Sequence, residues 1–184
     1  MKFPIAPLIA ALGIAAATHA AILFSAPFVA TDLVIDRIDK ARSLTPNRIA
    51  VAPPAAPPRD AVPMSNPDTL VASSWLDLGD GPLVFEAPLP EHAEYWSVSI
   101  FAHDSDTDFV LSDRDLEGAS HARLEIYGPG HNPPATSVDR KDVAHVSTRR
   151  AFLLVRAIMS DRNDEASVAA LKEEMSQARL ELLR

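Results

Sequence analysis

The pattern of the chain opens with a long stretch of apolar positions. Residues Phe3 to Thr31 contain no Asp, Glu, Lys or Arg, and Ile5, Leu8, Ile9, Leu12, Ile14, Ile22, Leu23, Phe24, Phe28 and Val29 are spread over the whole stretch between Lys2 and Asp32. About 20 apolar residues in a helix cross the hydrocarbon core of a bilayer, so residues 1–31 are expected to form an N-terminal transmembrane helix. A cleavable signal is the competing reading, because Ala15-Ala16-Ala17 and Thr18-His19-Ala20 offer small-x-small sites. Such signals carry an apolar core of roughly 7–15 residues, whereas here the stretch continues through Ala21-Ile22-Leu23-Phe24 to Val29. Retention as an uncleaved helix is the expectation. His19 sits inside the run, and an ionisable residue at membrane depth marks a functional position by default; a neutral imidazole bonded locally is the plainer account. The surrounding alanines and Gly13 permit close approach of a second helix without specifying an oligomer.

From Asp32 the pattern becomes amphipathic. Leu33, Val34, Ile38 and Ala41 alternate with Asp36, Arg37, Asp39 and Lys40, which predicts a juxtamembrane helix that Pro46 ends. Residues 51–67, VAPPAAPPRDAVPMSNP, are proline-rich. Proline removes a backbone donor and stiffens an extended chain, so residues 32–67 are read as juxtamembrane helix plus Pro/Ala-rich linker, a spacer holding the following domain off a membrane surface.

From residue 68 to 184 a different texture appears. Thr69–Leu78 is followed by the turn Gly79-Asp80-Gly81-Pro82 and then by Leu83–Pro88. In Tyr95–Ala102 the residues Trp96, Val98, Ile100 and Ala102 alternate with Ser97 and Ser99, the period-two signature of a strand with one buried face. Phe109–Leu111, Ala122–Tyr127, Val143–Ser147 and Ala151–Met159 continue the series, separated by turns at Gly128-Pro129-Gly130 and Asn132-Pro133-Pro134. Short strands at regular spacing predict a mainly β fold, an antiparallel β-sandwich or partly open barrel. The last segment changes period. Asn163 is read as an N-cap with Asp164 and Glu165 in the first turn, and Val168, Leu171, Met175, Ala178 and Leu182 recur every three or four positions. That predicts a C-terminal amphipathic helix packed on the sheet.

Charge and composition narrow the functional classes. The net charge is −8, and Lys2 is the one charged residue before Asp32, so the part beyond the apolar run is more acidic still. This excludes nucleic acid as a partner and argues against docking on anionic lipid. There is no cysteine, hence no disulfide, thiolate chemistry or cysteine-linked lipid. The basic residues Arg37, Lys40, Arg42 and Arg48 after the run outnumber those before it, which taken alone places the domain in the cytoplasm. Long domains cross largely regardless of that count.

The stretch NPDTLVASSWLDLGDGPLVFEAPLPEHAEYWSVSIF, residues 66–101, carries Asn66-Pro67-Asp68-Thr69, a strand ending in Asp77-Leu78, the turn Gly81-Pro82 and the strand Tyr95-Trp96-Ser97. Together with Phe152-Leu153-Leu154-Val155-Arg156 and Asn163-Asp164, these resemble the bacterial domain-of-unknown-function family 1254 over most of residues 66–183. Short members of that family carry an N-terminal membrane helix. Longer ones are secreted and add a second domain that these 184 residues do not contain. The resemblance implies an all-β core and a cell-envelope location: the inner membrane, single-pass, with the domain periplasmic. It implies no activity.

The densest polar cluster is His103-Asp104-Ser105-Asp106-Thr107-Asp108. Alternating carboxylates suit calcium, and His103, Asp104, Asp106 and Asp108 are the metal candidates. A calcium loop needs glycine at its sixth position and glutamate at its twelfth, where Phe109 and Asp115 stand counting from Asp104. A solvated hairpin loop fits better, so no metal and no cofactor are expected. His92, His121, His131 and His145 lack metal-like spacing, and no nucleophile elbow, phosphate loop or His-Glu-x-x-His occurs. Asp68 and Asp77 are read as turn caps, and Trp75, Trp96 and Tyr95 as core and rim of the sheet. No residue earns a catalytic role. The reading is a membrane-anchored envelope protein whose β-rich domain binds a protein partner or small ligand. The alternative is a hydrolase-like enzyme with a polar site around His103, Asp104 and Asp106.

Overall fold

The computed structural model of the chain describes residues 5–42, 44–54, 65–134 and 140–183. The first four residues of the predicted anchor and the centre of the proline-rich linker lie outside them. Among the described residues, nine strands form two sheets: β1 (Ala50–Val51), β2 (Thr69–Asp77), β3 (Leu83–Pro88), β4 (Ala93–Ala102), β5 (Thr107–Ser112), β6 (His121–Tyr127), β7 (Val143–His145), β8 (Arg150–Met159) and β9 (Arg179–Leu182). The larger sheet runs β1-β2-β8-β4-β5 and the smaller β7-β6-β3-β9. The larger is antiparallel throughout, whereas β7 lies parallel to β6. The fold is thus a two-sheet sandwich, not a barrel, and the smaller sheet is mixed rather than antiparallel. The long connection from Tyr127 to Val143 brings β7 back in the same direction as β6, which a tight hairpin cannot do.

The alternation read from the sequence builds the core. Trp96, Val98 and Ile100 of β4, Leu70, Ala72 and Leu76 of β2, and Leu153, Val155 and Ala157 of β8 face inward and are buried. They meet Leu83 and Phe85 of β3 and Leu124 and Ile126 of β6, with the rings of Phe85 and Trp96 stacked 6.4 Å apart across the two sheets. Gly128, just after β6, is required by close approach: a Cβ there would stand 2.6 Å from Cβ of Leu78.

Among the described residues two α-helices accompany the sheets. The apolar run and the amphipathic segment form one continuous helix, α1 (Ile5–Arg42), with Pro27 inside it. Among the described residues it is the one helix long and apolar enough to cross a membrane, a test that a signal sequence also passes. Its first part exposes Ile5, Leu8, Leu12, Ile22 and Phe24, whereas Ile35 and Ile38 are buried. They form a second small core with Leu44 and Phe152, against which Trp75, Phe101 and Leu154 pack. The domain therefore rests on the end of the helix instead of standing off at the end of a spacer. Part of the stretch read as linker is itself structured: β1 pairs with β2, and Ala52 N donates to the Val71 carbonyl at 2.7 Å.

The C-terminal helix, α2 (Glu165–Ser176), is shorter than the sequence suggested, at 12 residues. Its cap is Asp164 rather than Asn163: Oδ1 of Asp164 accepts from the backbone N of Ala166 at 3.1 Å and of Ser167 at 3.2 Å. Leu171 and Met175 are buried in the sandwich. Ala178 and Leu182 do not extend this stripe. After Gln177 the chain straightens into β9, pairing Leu180 with Phe85 and Leu182 with Leu83. Arg179-Leu180-Glu181-Leu182 alternates with period two as well as fitting helical spacing, and the open edge of β3 decides for the strand.

Candidate functional site

The outer face of the larger sheet is where the fold departs from an ordinary sandwich. Antiparallel sheets commonly leave one face to water. Here cross-strand register places Trp75, Phe152 and Phe101 in one row, Ser73, Leu154 and Ser99 in the next, then Val71, Arg156 and Ser97. α1 enters beside the β4–β5 turn, and the segment following it reaches β2, where Asn47 N donates to the Trp75 carbonyl at 3.0 Å. The helix thus crosses the strands over the Trp75–Phe152–Phe101 row and leaves the following rows open beside it.

The result is a cavity of about 940 Å³. Val34, Ile35, Ile38 and Ala41 of α1 form one wall, Val71, Leu154 and Ile158 the floor, and Ala52, Pro53 and Asn66 another side. Arg156 is the one charged side chain lining it among the described residues. Two buried hydroxyls on the same face, Ser97 Oγ and Ser99 Oγ, have no hydrogen-bond partner among the described residues.

The polar cluster read from the sequence lies where α1 meets the β4–β5 turn. His103 Nε2 stands 2.9 Å from Oδ1 of Asp32, and Arg150 Nη1 donates to the same oxygen at 3.1 Å. The guanidinium of Arg150 also lies over the Trp75 ring at 5.4 Å, and the His103 ring meets the Phe28 ring edge-on at 5.2 Å. Ser105, with a positive φ of 72°, shares a hydrogen bond of 2.8 Å with Thr31 Oγ1 and donates to the Pro27 carbonyl at 3.1 Å. The cluster ties helix to domain.

Its other members do not gather around His103. Asp104 accepts weakly from Asp106 N at 3.4 Å, and Asp108 accepts from Ser147 N at 2.7 Å and Ser147 Oγ at 2.9 Å. A general base needs a nucleophile within hydrogen-bond reach. The partner of the His103 ring is a carboxylate, and the Ser105 hydroxyl is engaged by helix α1. Among the described residues no three His, Asp, Glu or Cys side chains could hold a metal ion. His92 pairs with Glu174 at 2.7 Å, His121 with Ser120 at 2.9 Å, and His145 lies 6.3 Å from the Tyr127 ring. Asp68 and Asp77 flank β2 at opposite ends. Asp77 takes the turn role, accepting from Gly79 N at 2.9 Å, and its hydrogen bond from Arg149 holds its carboxyl below the ordinary range.

One charged network was not visible in the sequence. On the smaller sheet the largely buried Glu125 accepts from Arg123 Nη1 at 2.7 Å and from Tyr127 Oη at 3.0 Å, with Arg140 3.7 Å away. The Arg123 bond depresses the Glu125 pKa, while burial and the carboxylate raise that of Tyr127. Every member is paired, as a structural network requires. Asp32, Arg150 and Arg156 were likewise missed. The available signal was the unbroken apolar run Ala151-Phe152-Leu153-Leu154-Val155, which marks a strand covered on both faces.

Comparison with known proteins agrees with this architecture. The family model described as "Protein of unknown function (DUF1254)" matches residues 46–179. Among solved structures, the VPA0106 protein from Vibrio parahaemolyticus superposes with a TM-score of 0.64 at 19% identity, over 88% of this chain and 37% of that one. An uncharacterized protein from Burkholderia cenocepacia gives a TM-score of 0.52 at 15% identity, over 83% of this chain and 40% of its own. At such identities the likeness is one of fold, and this chain spans well under half the length of either. No curated protein matches it. The chain belongs to the DUF1254 family of proteins of unknown function.

Proposed function

We propose that this protein is a membrane-anchored binding module of the cell envelope. In this reading α1 is its single-pass anchor in the inner membrane, the β-domain lies in the periplasm, and the groove between α1 and the larger sheet holds an apolar ligand. Ile5–Phe24 is 20 residues of helix, about 30 Å at 1.5 Å per residue, the thickness of a hydrocarbon core. The β4–β5 turn, in contact with Pro27, Phe28 and Thr31, then sits at the membrane surface, and the groove opens beside it. A periplasmic location is supported by the family resemblance and by the weakness of the charge count for long domains.

The observation that carries the binding role is the apolar lining of a cavity of about 940 Å³ on a sheet face that would otherwise meet water. Cavities of this size that accept small molecules are mostly apolar with a few placed polar groups. A hydrolase around His103, Asp104 and Asp106 is less well supported, because no hydroxyl among the described residues reaches the His103 ring.

The test uses the full chain reconstituted in lipid nanodiscs with a diazirine-bearing long-chain alcohol. Photolabelling should mark both Ile35–Ile38 and Leu154–Ile158, and Leu154→Trp, which fills the groove, should reduce both adducts. Adducts confined to residues 5–24 would overturn the binding role. N-terminal sequencing of the membrane fraction should find the residues before Ala21 still attached, and a soluble product beginning near Ala21 would overturn the anchor.

A further inference from the structure

The groove is lined mainly by apolar side chains, with neutral polar groups such as Asn66 and Thr69 at its sides and one charged group. Arg156 stands on its floor between Leu154 and Ile158 along β8, and between Val71 and Ser97 across the sheet. Its side chain is exposed, and no hydrogen bond or ion pair joins its guanidinium to a described residue. No acid lines the groove among the described residues, although the chain as a whole carries a net charge of −8. The two arginines at the start of β8, by contrast, have carboxylate partners: Arg150 pairs with Asp32 and Arg149 with Asp77.

The neighbour of Arg156 adds a second observation. Ser97 lies directly opposite it in the β4–β8 register, and its buried hydroxyl has no partner among the described residues. Opposed residues on adjacent strands have Cβ atoms about 5 Å apart, so the stem of Arg156 stands beside this hydroxyl, which is buried and does not itself line the groove. A guanidinium presents parallel N–H donors that fit a planar carboxylate in two bonds, a match that ammonium and neutral groups do not offer.

From these features we infer that the groove binds a single-chain anionic amphiphile, a long-chain carboxylate, with its head on Arg156 and its chain along Leu154, Phe152, Val34 and Ile38. This rests on the groove-binding function proposed above and specifies its ligand class. Charge complementarity selects the head: a cation would be repelled by Arg156, and a neutral chain would leave the guanidinium unmatched. The end of the groove lined by Thr31 and Ser105 lies next to the anchor, so the apolar tail points towards the membrane.

The competing role for Arg156 is to cover the floor with its methylenes while its charge stays in water. Arg156→Met keeps that cover and removes the charge; Arg156→Lys keeps the charge. The full chain in nanodiscs of zwitterionic lipid is photolabelled with a diazirine-bearing fatty acid and, separately, with the matched alcohol. Adducts on residues 152–158 are scored against those on residues 5–24, which report partition into the bilayer. For the acid, Arg156→Met should lower groove labelling by about tenfold, the scale of losing a hydrogen bond to a charged group, and Arg156→Lys should restore much of it. For the alcohol, wild type and Arg156→Met should label equally. Equal acid labelling of wild type and Arg156→Met would overturn the carboxylate assignment while leaving a lipophilic groove. An equal loss for acid and alcohol would also overturn it, as damage to the groove. Absence of groove adducts with either probe would overturn both proposals.

Discussion

Asp32 and His103 are 71 positions apart in the chain and 2.9 Å apart in space, the carboxylate on α1 and the imidazole at the end of β4. With Arg150 on the same oxygen, this contact fixes where the helix meets the domain, and it sits where apolar packing takes over. Asp32 and Arg150 are both substantially exposed, at 45% and 40%. Exposed ion pairs contribute about 0–1 kcal/mol. Ile38, in contrast, is 3% exposed beneath the sheet face, and truncating such a side chain costs about 2–5 kcal/mol. The clasp therefore positions the helix and the apolar seam holds it. Asp32→Asn should leave the thermal midpoint of the full chain nearly unchanged, while Ile38→Ala should lower it clearly and raise hydrogen exchange in residues 30–42. A larger loss for Asp32→Asn would reverse that ranking.

Glu125 makes a pH-dependent contribution whose sign follows from its partners. Arg123 and Tyr127 hold its folded pKa below the ordinary glutamate value of 4.5. A depressed carboxylate stabilises the fold fully above the unfolded value, and that stability is lost as pH falls through the folded one. Glu125→Gln cannot titrate. Denaturant midpoints of wild type and Glu125→Gln should differ most at about pH 6–7, and the gap should narrow steadily below about pH 4.5. A gap independent of pH would mean that the substituted amide fails for steric reasons alone.

How far the fold could be read from sequence depended on which faces are covered. β3 alternates in burial and β4 in residue type, since the covered outer face of β4 carries Ser97 and Ser99, and both are legible to within two residues of their bounds. β8 does not alternate, because Phe152 and Leu154 face α1 while Leu153 and Val155 face the other sheet; this was the trace of the groove, and it looked like one more buried strand. Asp32, His103 and Arg150 belong to three distant segments, so no spacing could link them. The C-terminal error has a different origin. Met175, Ala178 and Leu182 satisfy a helical period by coincidence of a helix end and a two-period strand, and only the open edge of β3 separates the readings.

At the C-terminus, Leu171 is 1% exposed within the core and Lys172 faces outward. Leu171→Ala should therefore destabilise the full chain by about 2–5 kcal/mol, and Lys172→Ala by less than about 0.5 kcal/mol. Chemical denaturation followed by tryptophan fluorescence suits this comparison, since Trp96 lies in the same core. Equal midpoints for both variants would mean that α2 is not part of the sandwich.

The contact between Thr31 and Ser105 permits a test of docking and location together. Their hydroxyl oxygens are 2.8 Å apart, so a small backbone shift suffices to bring the two β-carbons to the roughly 3.5–4.5 Å that a disulfide spans. The chain has no cysteine of its own, so Thr31→Cys with Ser105→Cys introduces the one pair available. Purified in nanodiscs and mildly oxidised, the double variant should become resistant to a maleimide-polyethylene glycol mass tag, and each single variant should take up one tag. Disulfides form in the periplasm and are rare in the cytoplasm. If the domain lies outside, cells quenched with acid should already contain the locked form, and reductant should restore two tags. Two tags from cells but none after oxidation in vitro would place the domain in the cytoplasm with the helix still docked. Two tags under both conditions would mean that the β4–β5 turn does not rest on α1, and the groove would lose one of its walls.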